Sequence, residues 1–214
     1  MRRTKAEAEQ TRCAILAAAE TLFLEKGVAH TSLEHIARHA GVTRGAVYWH
    51  FANKADLFNA MLSQVRLPPE QLTERMRGCP KYDPLLTLHG LCIEAIENLA
   101  RDPQKQRIFT ILLRRCEFTE ELREAEERQE AFINLFIELC EQQFNTPSVR
   151  QRLHAGMTPR LAARTVHALL IGLFHDWSRD PKLFDPLSDT APMVDACFRG
   201  LIRDWPGAAT PTPG

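Results

Sequence analysis

Three residues between positions 31 and 51 have the chemistry needed to read DNA: Arg44, Gly45 and Tyr48. A guanidinium can donate two hydrogen bonds to a guanine edge, and a glycine lets the backbone approach the double helix closely. A tyrosine can donate a hydrogen bond to phosphate while its ring packs on a thymine methyl group. The spacing places all three on one face of a short helix, so the sequence predicts a helix that enters a major groove.

Two short helices around a glycine would position this face. We expect the first helix to begin at Thr31, which has Glu34 three residues later as in a capping box, and to end at Gly41. Its apolar residues share one side of the helix: Leu33, Ile36, Ala37 and Ala40.

The second helix has its own N-terminal signal. Thr43 is a suitable N-cap, while Val47 and Phe51 lie one turn apart and are expected to point inward. The pattern is typical of a helix-turn-helix, although an ordinary helical corner with core aromatic residues has the same spacing.

The sequence of this segment is more specific than its spacing. The string TRGAVYWHFANKADLF, preceded by LFLEKGVAHTSLEHIA, resembles the N-terminal domain of TetR-family transcriptional repressors over residues 8–66. The resemblance implies an all-α homodimer with two DNA-reading heads and a variable C-terminal ligand domain. It also implies contacts with the DNA backbone at matching positions, namely Thr31, Ser32, Thr43, Tyr48, His50 and Lys54.

Charge and proline content suggest how the 214 residues are divided. The net charge is zero, but residues 1–66 contain nine Lys and Arg against six Asp and Glu. We therefore expect a slightly basic DNA-binding domain at 1–66 with an arm at 1–7, and a ligand-binding and dimerisation domain at 67–205. Pro68 and Pro69 interrupt the helical pattern at this boundary, and the tail 206–214 is expected to be disordered.

The composition favours a cytoplasmic protein with no catalytic, metal or cofactor site. No secretory signal precedes the first helix, and no run of about 18 apolar residues occurs. The six cysteines, at positions 13, 79, 92, 116, 140 and 197, lack paired metal spacing. We interpret them as reduced buried thiols, with a redox-sensing pair as the alternative. His35 and His39 are four residues apart, but they lie beside the helix-turn-helix corner.

The rest of the chain has the pattern of a series of amphipathic helices. We expect helices at 83–101, from 103 through Leu113, at 161–177 and at 192–204, with a long loop at 145–157. Asn53 is a suitable N-cap, Asp102 and Pro103 begin the helix that contains Leu113, and Thr158 and Pro159 cap and start the helix that includes 161–177. The charged stretch 117–130 keeps a buried row at Phe118, Leu122 and Ala125. The helix 161–177 is apolar almost all round, so we expect the last two helices to form a two-fold, four-helix dimer interface.

The segment RRCEFTEEL, which starts at Arg114, resembles the multidrug-efflux repressors of the TetR family. That resemblance implies repression of an efflux-pump operon and release from DNA by a lipophilic drug. A site for such a drug needs apolar walls with few polar groups, and Gln129 and His167 interrupt apolar rows. The alternatives are an exposed Gln129 and a hydrogen-bonded core His167. The apolar candidates are Leu91, Cys92, Phe109, Leu113, Phe132, Phe136, Leu170 and Ile171.

Other functions share parts of these patterns. A TetR-type regulator that responds to a metabolite would have the same head. So would a thiol switch that uses Cys116 or Cys92. A third alternative is a helical ligand-binding dimer whose head no longer reads DNA. Sequence-specific, salt-sensitive DNA binding distinguishes the repressor from this last alternative.

Overall fold

The computed structural model describes residues 5–78, 83–117 and 119–206, and the repeating secondary structure in these ranges is helical. The helices are α1 (Lys5–Lys26), α2 (Leu33–His39), α3 (Arg44–His50), α4 (Lys54–Leu62), α5 (Pro68–Gly78), α6 (Pro84–Arg101), α7 (Pro103–Thr110), α8 (Arg123–Phe144), α9 (Pro147–Arg150), α10 (Pro159–Arg179) and α11 (Thr190–Leu201). A π-helical turn, Ile111–Arg115, continues α7, and a 3₁₀ turn, Glu120–Leu122, precedes α8. The predicted all-α fold is confirmed.

The chain forms two compact units. The head unit contains the chain up to Leu67 together with Asp102–Glu130, and the body unit contains Pro68–Arg101 together with the chain from Ala131 onward. The break after Leu67 lies one residue from the predicted boundary, but the head unit also takes in α7 and the start of α8. The assignment of functions to residues 1–66 and 67–205 stays a prediction.

The core of the head unit forms where α1 packs on α2, α3 and α4. Ile15 and Phe23 of α1 are fully buried, as are Ile36, Val47 and Leu57 of the other three helices. The ring of Phe23 meets that of Phe58 edge-on, with 6.0 Å between centroids. This packing fixes α3 by its inner face, as the sequence predicts.

The first helix of the motif begins differently from the prediction. Ser32, not Thr31, caps α2, since its side chain accepts a hydrogen bond from the backbone N–H of His35. Thr31 is 2% exposed and donates its hydroxyl to the carbonyl of Gly27. The prediction failed because a buried carbonyl at the end of α1 needs a donor, and Thr31 supplies it.

The body unit confirms α6 and the start of α10. The Thr158 side chain accepts a hydrogen bond from the N–H of Leu161, as predicted for an N-cap. Seven apolar residues of α6 are buried: Leu85, Leu88, Leu91, Cys92, Ala95, Ile96 and Leu99. The predicted loop at 145–157 contains the one-turn helix α9, Pro147–Arg150, which the sequence analysis missed.

The last helix ends earlier than predicted, at Leu201 rather than Asp204. Ile202 adopts an extended backbone and forms an isolated antiparallel bridge with Leu153. Beyond it, the indole of Trp205 donates to a carboxylate oxygen of Asp195 over 2.9 Å. The helical periodicity of the sequence continues past Leu201, but the helix ends there because the backbone of Ile202 pairs with that of Leu153.

Four predictions fall partly or wholly outside the described residues. These concern the first four residues of the basic arm, Cys79 among the predicted thiols, Phe118 of the buried row, and 207–214 of the tail. The other two members of the row, Leu122 and Ala125, are buried as predicted. No helix in the described ranges is long and apolar enough to span a membrane.

Candidate nucleic-acid interface

A turn with a left-handed glycine presents helix α3 at the surface of the head unit. Gly41 has a φ of +67°, a conformation that favours glycine, and it ends the first helix of the motif as predicted. The Thr43 side chain accepts a hydrogen bond from the N–H of Ala46 and caps α3. Val47 and Phe51 face the core, as predicted. The helix-turn-helix therefore has the predicted local geometry, with its second helix starting at Arg44.

The outer face of α3 is exposed and carries the three residues from which the prediction started. The Arg44 guanidinium donates a hydrogen bond to the Tyr48 hydroxyl over 3.4 Å, and its carbon lies 5.4 Å from the centre of that ring. This hydrogen bond raises the pKa of Arg44 above its usual value. Arg44 is thus a permanent cation whose orientation is partly fixed before any ligand arrives.

Gly45 is not required by the packing of the head. A Cβ built on Gly45 would come no closer than 4.0 Å to its nearest neighbour, the Thr43 hydroxyl. Its φ also lies outside the left-handed region. The fold would accept a side chain here, so the close approach of an external molecule is the better explanation for the glycine.

Trp49 belongs to the same surface and was missed in the sequence analysis. Its side chain is 73% exposed, more than any other large hydrophobic residue described, and its ring meets that of His50 at 4.5 Å between centroids. Gly45 and Trp49 are one helical turn apart, which is the signal that would have found it. The exposed Trp49 side chain beside Tyr48 adds a large flat contact surface to α3.

A groove of about 540 Å³ runs along this face of the head unit. Its walls come from the loop after α1 and from the starts of α2, α3 and α4. The lining residues are Ala29, His30, Thr31, Ser32, Leu33, Glu34, Arg44, Tyr48, Ala52, Asn53, Lys54 and Glu121. Five of the eight predicted DNA-binding residues therefore share one concave surface, and Thr43, Gly45 and His50 lie on the adjoining α3 segment.

The start of α4 is rigidly capped where it meets this groove. The Asn53 side chain accepts from the N–H of Asp56 over 2.8 Å, as predicted, and Asp56 accepts from the N–H of Ala52 over 2.9 Å. This reciprocal pair fixes the position of Lys54, the first residue of the helix. Lys54 donates to the carbonyl oxygen of Val28 and lies 3.4 Å from a carboxylate oxygen of Glu121.

The predicted backbone contacts differ in how accessible their side chains are. Ser32, Thr43 and Tyr48 are exposed, and His50 is half-buried. The Thr31 side chain is buried, so its hydroxyl supports the groove from behind. A phosphate contact of Thr31 stays a prediction.

The predicted ligand-binding residues are divided between the two units. Phe109, Leu113 and Gln129 belong to the head unit, and the other seven belong to the body unit. The Oε1 atom of Gln129 is buried and has no hydrogen-bond partner, so Gln129 is not the simple exposed glutamine of the alternative prediction. His167 is half-buried, and burial followed by the charge of Arg164 lowers its pKa. The apolar candidates are buried or half-buried: Leu91, Cys92, Phe109, Leu113, Phe132, Phe136, Leu170 and Ile171.

The described cysteines are free thiols. Cys92 and Cys140 are buried and Cys116 and Cys197 are half-buried, but Cys13 is exposed on α1, so the prediction of a buried thiol is wrong for Cys13. Burial raises the pKa of Cys116 to about 11 and also raises those of Cys92, Cys140 and Cys197. The thiolate is the reactive form, so none of these four is primed for oxidation in this conformation. Among the described residues, no group of three or more His, Cys, Asp or Glu could hold a metal ion.

Family comparisons cover both parts of the chain. Residues 15–61 match the family model described as bacterial regulatory proteins, tetR family. Residues 83–203 match the model for the C-terminal region of MAATS-type transcriptional repressors.

Relatives and solved structures agree with these matches. The repressor BepR of Brucella suis biovar 1 is 35% identical over 94% of this chain and 96% of its own length. The regulator TtgR of Pseudomonas putida is 36% identical over 91% of this chain and 93% of its own length. The crystal structure of NalD, the secondary repressor of the MexAB-OprM multidrug efflux pump in Pseudomonas aeruginosa, is 64% identical, with a TM-score of 0.82 over 94% of this chain and all of that chain. A complex of SmeT with triclosan is 33% identical, with a TM-score of 0.74 over 96% of this chain and 100% of that chain.

Proposed function

Because the chain belongs to the TetR family of transcriptional repressors, which are regulators rather than enzymes, we propose that it represses a multidrug-efflux operon and leaves its operator when a lipophilic drug binds. The observation that carries this proposal is the exposed face of α3, where Arg44 and Tyr48 line a groove with the capped start of α4. The efflux target rests on the names of the relatives, since NalD and SmeT are both repressors of efflux pumps.

In the proposed complex, α3 lies in a major groove. Arg44 donates to a guanine edge, and Gly45 lets the helix backbone approach the bases. Ser32, Thr43, Tyr48, His50 and Lys54 hold the DNA backbone, and Thr31 supports this surface. Such contacts fix the register of the protein on DNA without reading sequence, so specificity is assigned chiefly to Arg44.

A dimer with two such heads would read a near-palindromic operator. The outer surface of α10 and α11 supports this, because exposed Leu161 and Met193 flank small exposed residues, Ala168 and Gly172 of α10 and Ala196 of α11. Small residues let two helices of each protomer approach closely in a four-helix interface. This surface is more polar than the sequence predicted, since Arg164 and His175 are also exposed on it.

Drug binding is assigned to the ten predicted ligand-binding residues. Gln129 supports this assignment because its buried Oε1 lacks a partner and could accept a hydrogen bond from a ligand. A drug shifts the population away from the DNA-bound conformation only by the difference between its affinities for the two conformations. The SmeT complex supports the ligand class, since triclosan is a small lipophilic compound.

Release of DNA by a drug tests this function. The purified protein is titrated onto labelled fragments of its own upstream region, and novobiocin or triclosan is then added while fluorescence anisotropy is recorded. We expect tight binding to one fragment and drug-dependent release. We also expect His167→Ala to bind the same fragment equally well but to need more drug for release, because His167 is assigned to the drug and not to DNA.

Glu138, an exposed residue of α8 outside the proposed drug site and dimer surface, provides the control. Glu138→Ala should release DNA at the wild-type drug concentration. Identical drug responses of all three proteins would remove His167 from the site. Specific binding that none of the drugs disturbs would contradict the proposed ligand class.

A further inference from the structure

The ion pair between Lys54 and Glu121 lies in the wall of the groove that carries the reading helix. Lys54 is only 16% exposed, and its ammonium group lies between the carbonyl oxygen of Val28, at 3.3 Å, and a carboxylate oxygen of Glu121, at 3.4 Å. Both residues line the same groove as Arg44 and Tyr48. Glu34 also lines the groove, but it pairs with Arg38, whereas the Glu121 carboxylate lies against Lys54, a predicted phosphate contact.

The position of Glu121 is fixed by more than its ion pair. The next residue, Leu122, is 1% exposed, and the 3₁₀ turn that holds both residues packs on α4. Just before this turn, the carbonyl of Arg115 accepts a hydrogen bond from the N–H of Val28 over 2.9 Å. The segment is therefore attached to the head at both ends, so the carboxylate would stay near Lys54 even without the attraction between them.

We propose that Glu121 competes with a DNA phosphate for Lys54 and so holds the affinity of the head for DNA below its maximum. This inference rests on the proposed function. An ammonium group has three donors, so a phosphate oxygen must share Lys54 with the carboxylate or replace it. The paired carboxylate also offsets the positive charge that Lys54 presents to a phosphate, and this effect ends when the carboxylate is neutralised.

Coupling to the ligand follows from where Glu121 lies in the chain. It follows the π-helical turn Ile111–Arg115, which contains Leu113, a predicted ligand-binding residue. A displacement of this segment would change the distance between the carboxylate and Lys54. The pair would then convert a shift of the segment into a change in the charge presented to DNA.

Neutralising the carboxylate tests the proposal. Glu121→Gln should bind both operator and scrambled duplexes about two- to fivefold more tightly than wild type, since an ion pair whose carboxylate is open to solvent has a modest free energy. The plot of log K against log salt should become steeper by up to about 0.9, because one more phosphate is neutralised. Glu120→Gln is the matched control: it makes the same charge change in the same turn, but Glu120 is 81% exposed and pairs with Arg123.

A double-mutant cycle with Lys54→Met tests whether Glu121 affects DNA binding through Lys54. In the Lys54→Met background, Glu121→Gln should have little effect, since the cation for which it competes is gone. A full effect in that background would show general charge repulsion and overturn the role of Lys54. Weaker binding by Glu121→Gln, with an unchanged melting temperature, would show that the carboxylate positions Lys54, and it would overturn the competition.

The outcome also separates this inference from the proposed function. If wild type binds operator no better than scrambled DNA, the proposed function fails. If wild type binds specifically while Glu121→Gln and Glu120→Gln match it in affinity and salt slope, the inference alone fails.

Discussion

At the scale of single residues, Arg44 is the side chain to which the proposed function assigns most of the sequence reading. It is exposed, and its contact with Tyr48 orders it on the outer face of α3. A partly ordered guanidinium loses less entropy when it binds a base, so more of its interaction energy appears as affinity. Tyr48 thus supports Arg44, and it is also a candidate phosphate ligand.

Removal of the guanidinium should therefore weaken binding to the operator and reduce the discrimination between bases at one position. We expect Arg44→Ala to lower the affinity for operator by roughly 1 to 3 kcal/mol and to change binding to scrambled DNA much less. Anisotropy titrations against operators substituted at each position measure both effects. Arg150→Ala is the control, because Arg150 is an exposed arginine of the body unit. Equal binding of wild type and Arg44→Ala to operator would contradict the assignment of Arg44.

Single residues also differ in how far the sequence could predict their contacts. Arg44, Gly45 and Tyr48 could be identified because helical spacing alone places them together. The partner of Lys54 could not, since Glu121 is 67 positions away and no local pattern joins the two. Thr31 was misplaced for a similar reason, because its acceptor is a carbonyl at the end of another helix.

At the scale of elements, the turn before α3 determines how the reading face is presented. Gly41 supplies the left-handed residue, and the N–H of Val42 donates to the carbonyl of Ala37 to close the turn. A Cβ at Gly41 would meet nothing within 4 Å, so the requirement for glycine comes from the backbone conformation alone.

Two glycine substitutions with opposite expected signs test this explanation. Gly41→Ala should destabilise the protein by about 1 kcal/mol, because alanine is strained at positive φ. Gly90→Ala should stabilise it by about 0.5 to 1 kcal/mol, since Gly90 is inside α6 with open space around it. Urea unfolding followed by circular dichroism measures both changes. Destabilisation by both substitutions would indicate steric clashes in place of backbone strain.

Local signals predicted most elements, and long-range contacts account for the errors. Caps at Thr43, Asn53, Asp102 and Thr158 were readable because a helix start depends on a few adjacent residues. The end of α11 was not, since Ile202 leaves the helix to pair with Leu153. Helix α9 is only four residues long and has too little periodicity to detect.

At the scale of the whole molecule, the head unit is larger than the region of family resemblance suggested. Asp102–Glu130 joins the chain up to Leu67, and Glu20 of α1, 7% exposed, forms an ion pair with Arg107 of α7. No composition shift marks this grouping, so the sequence could not predict it. The proposed DNA-reading helices thus share a compact unit with Phe109, Leu113 and Gln129, and this grouping supports the proposed coupling between ligand and DNA.

In the proposed function, two such heads joined as a dimer read two half-sites of one operator. Hydroxyl-radical footprinting on the upstream fragment tests this arrangement. We predict two equivalent protected patches related by two-fold symmetry, with centres one helical turn of about 34–36 Å, or a multiple of it, apart. Ala168→Glu, which places charge on the exposed face of α10, should lose both patches at the same protein concentration while its circular dichroism remains that of a folded protein. A single asymmetric patch, or unchanged protection by this variant, would contradict the account.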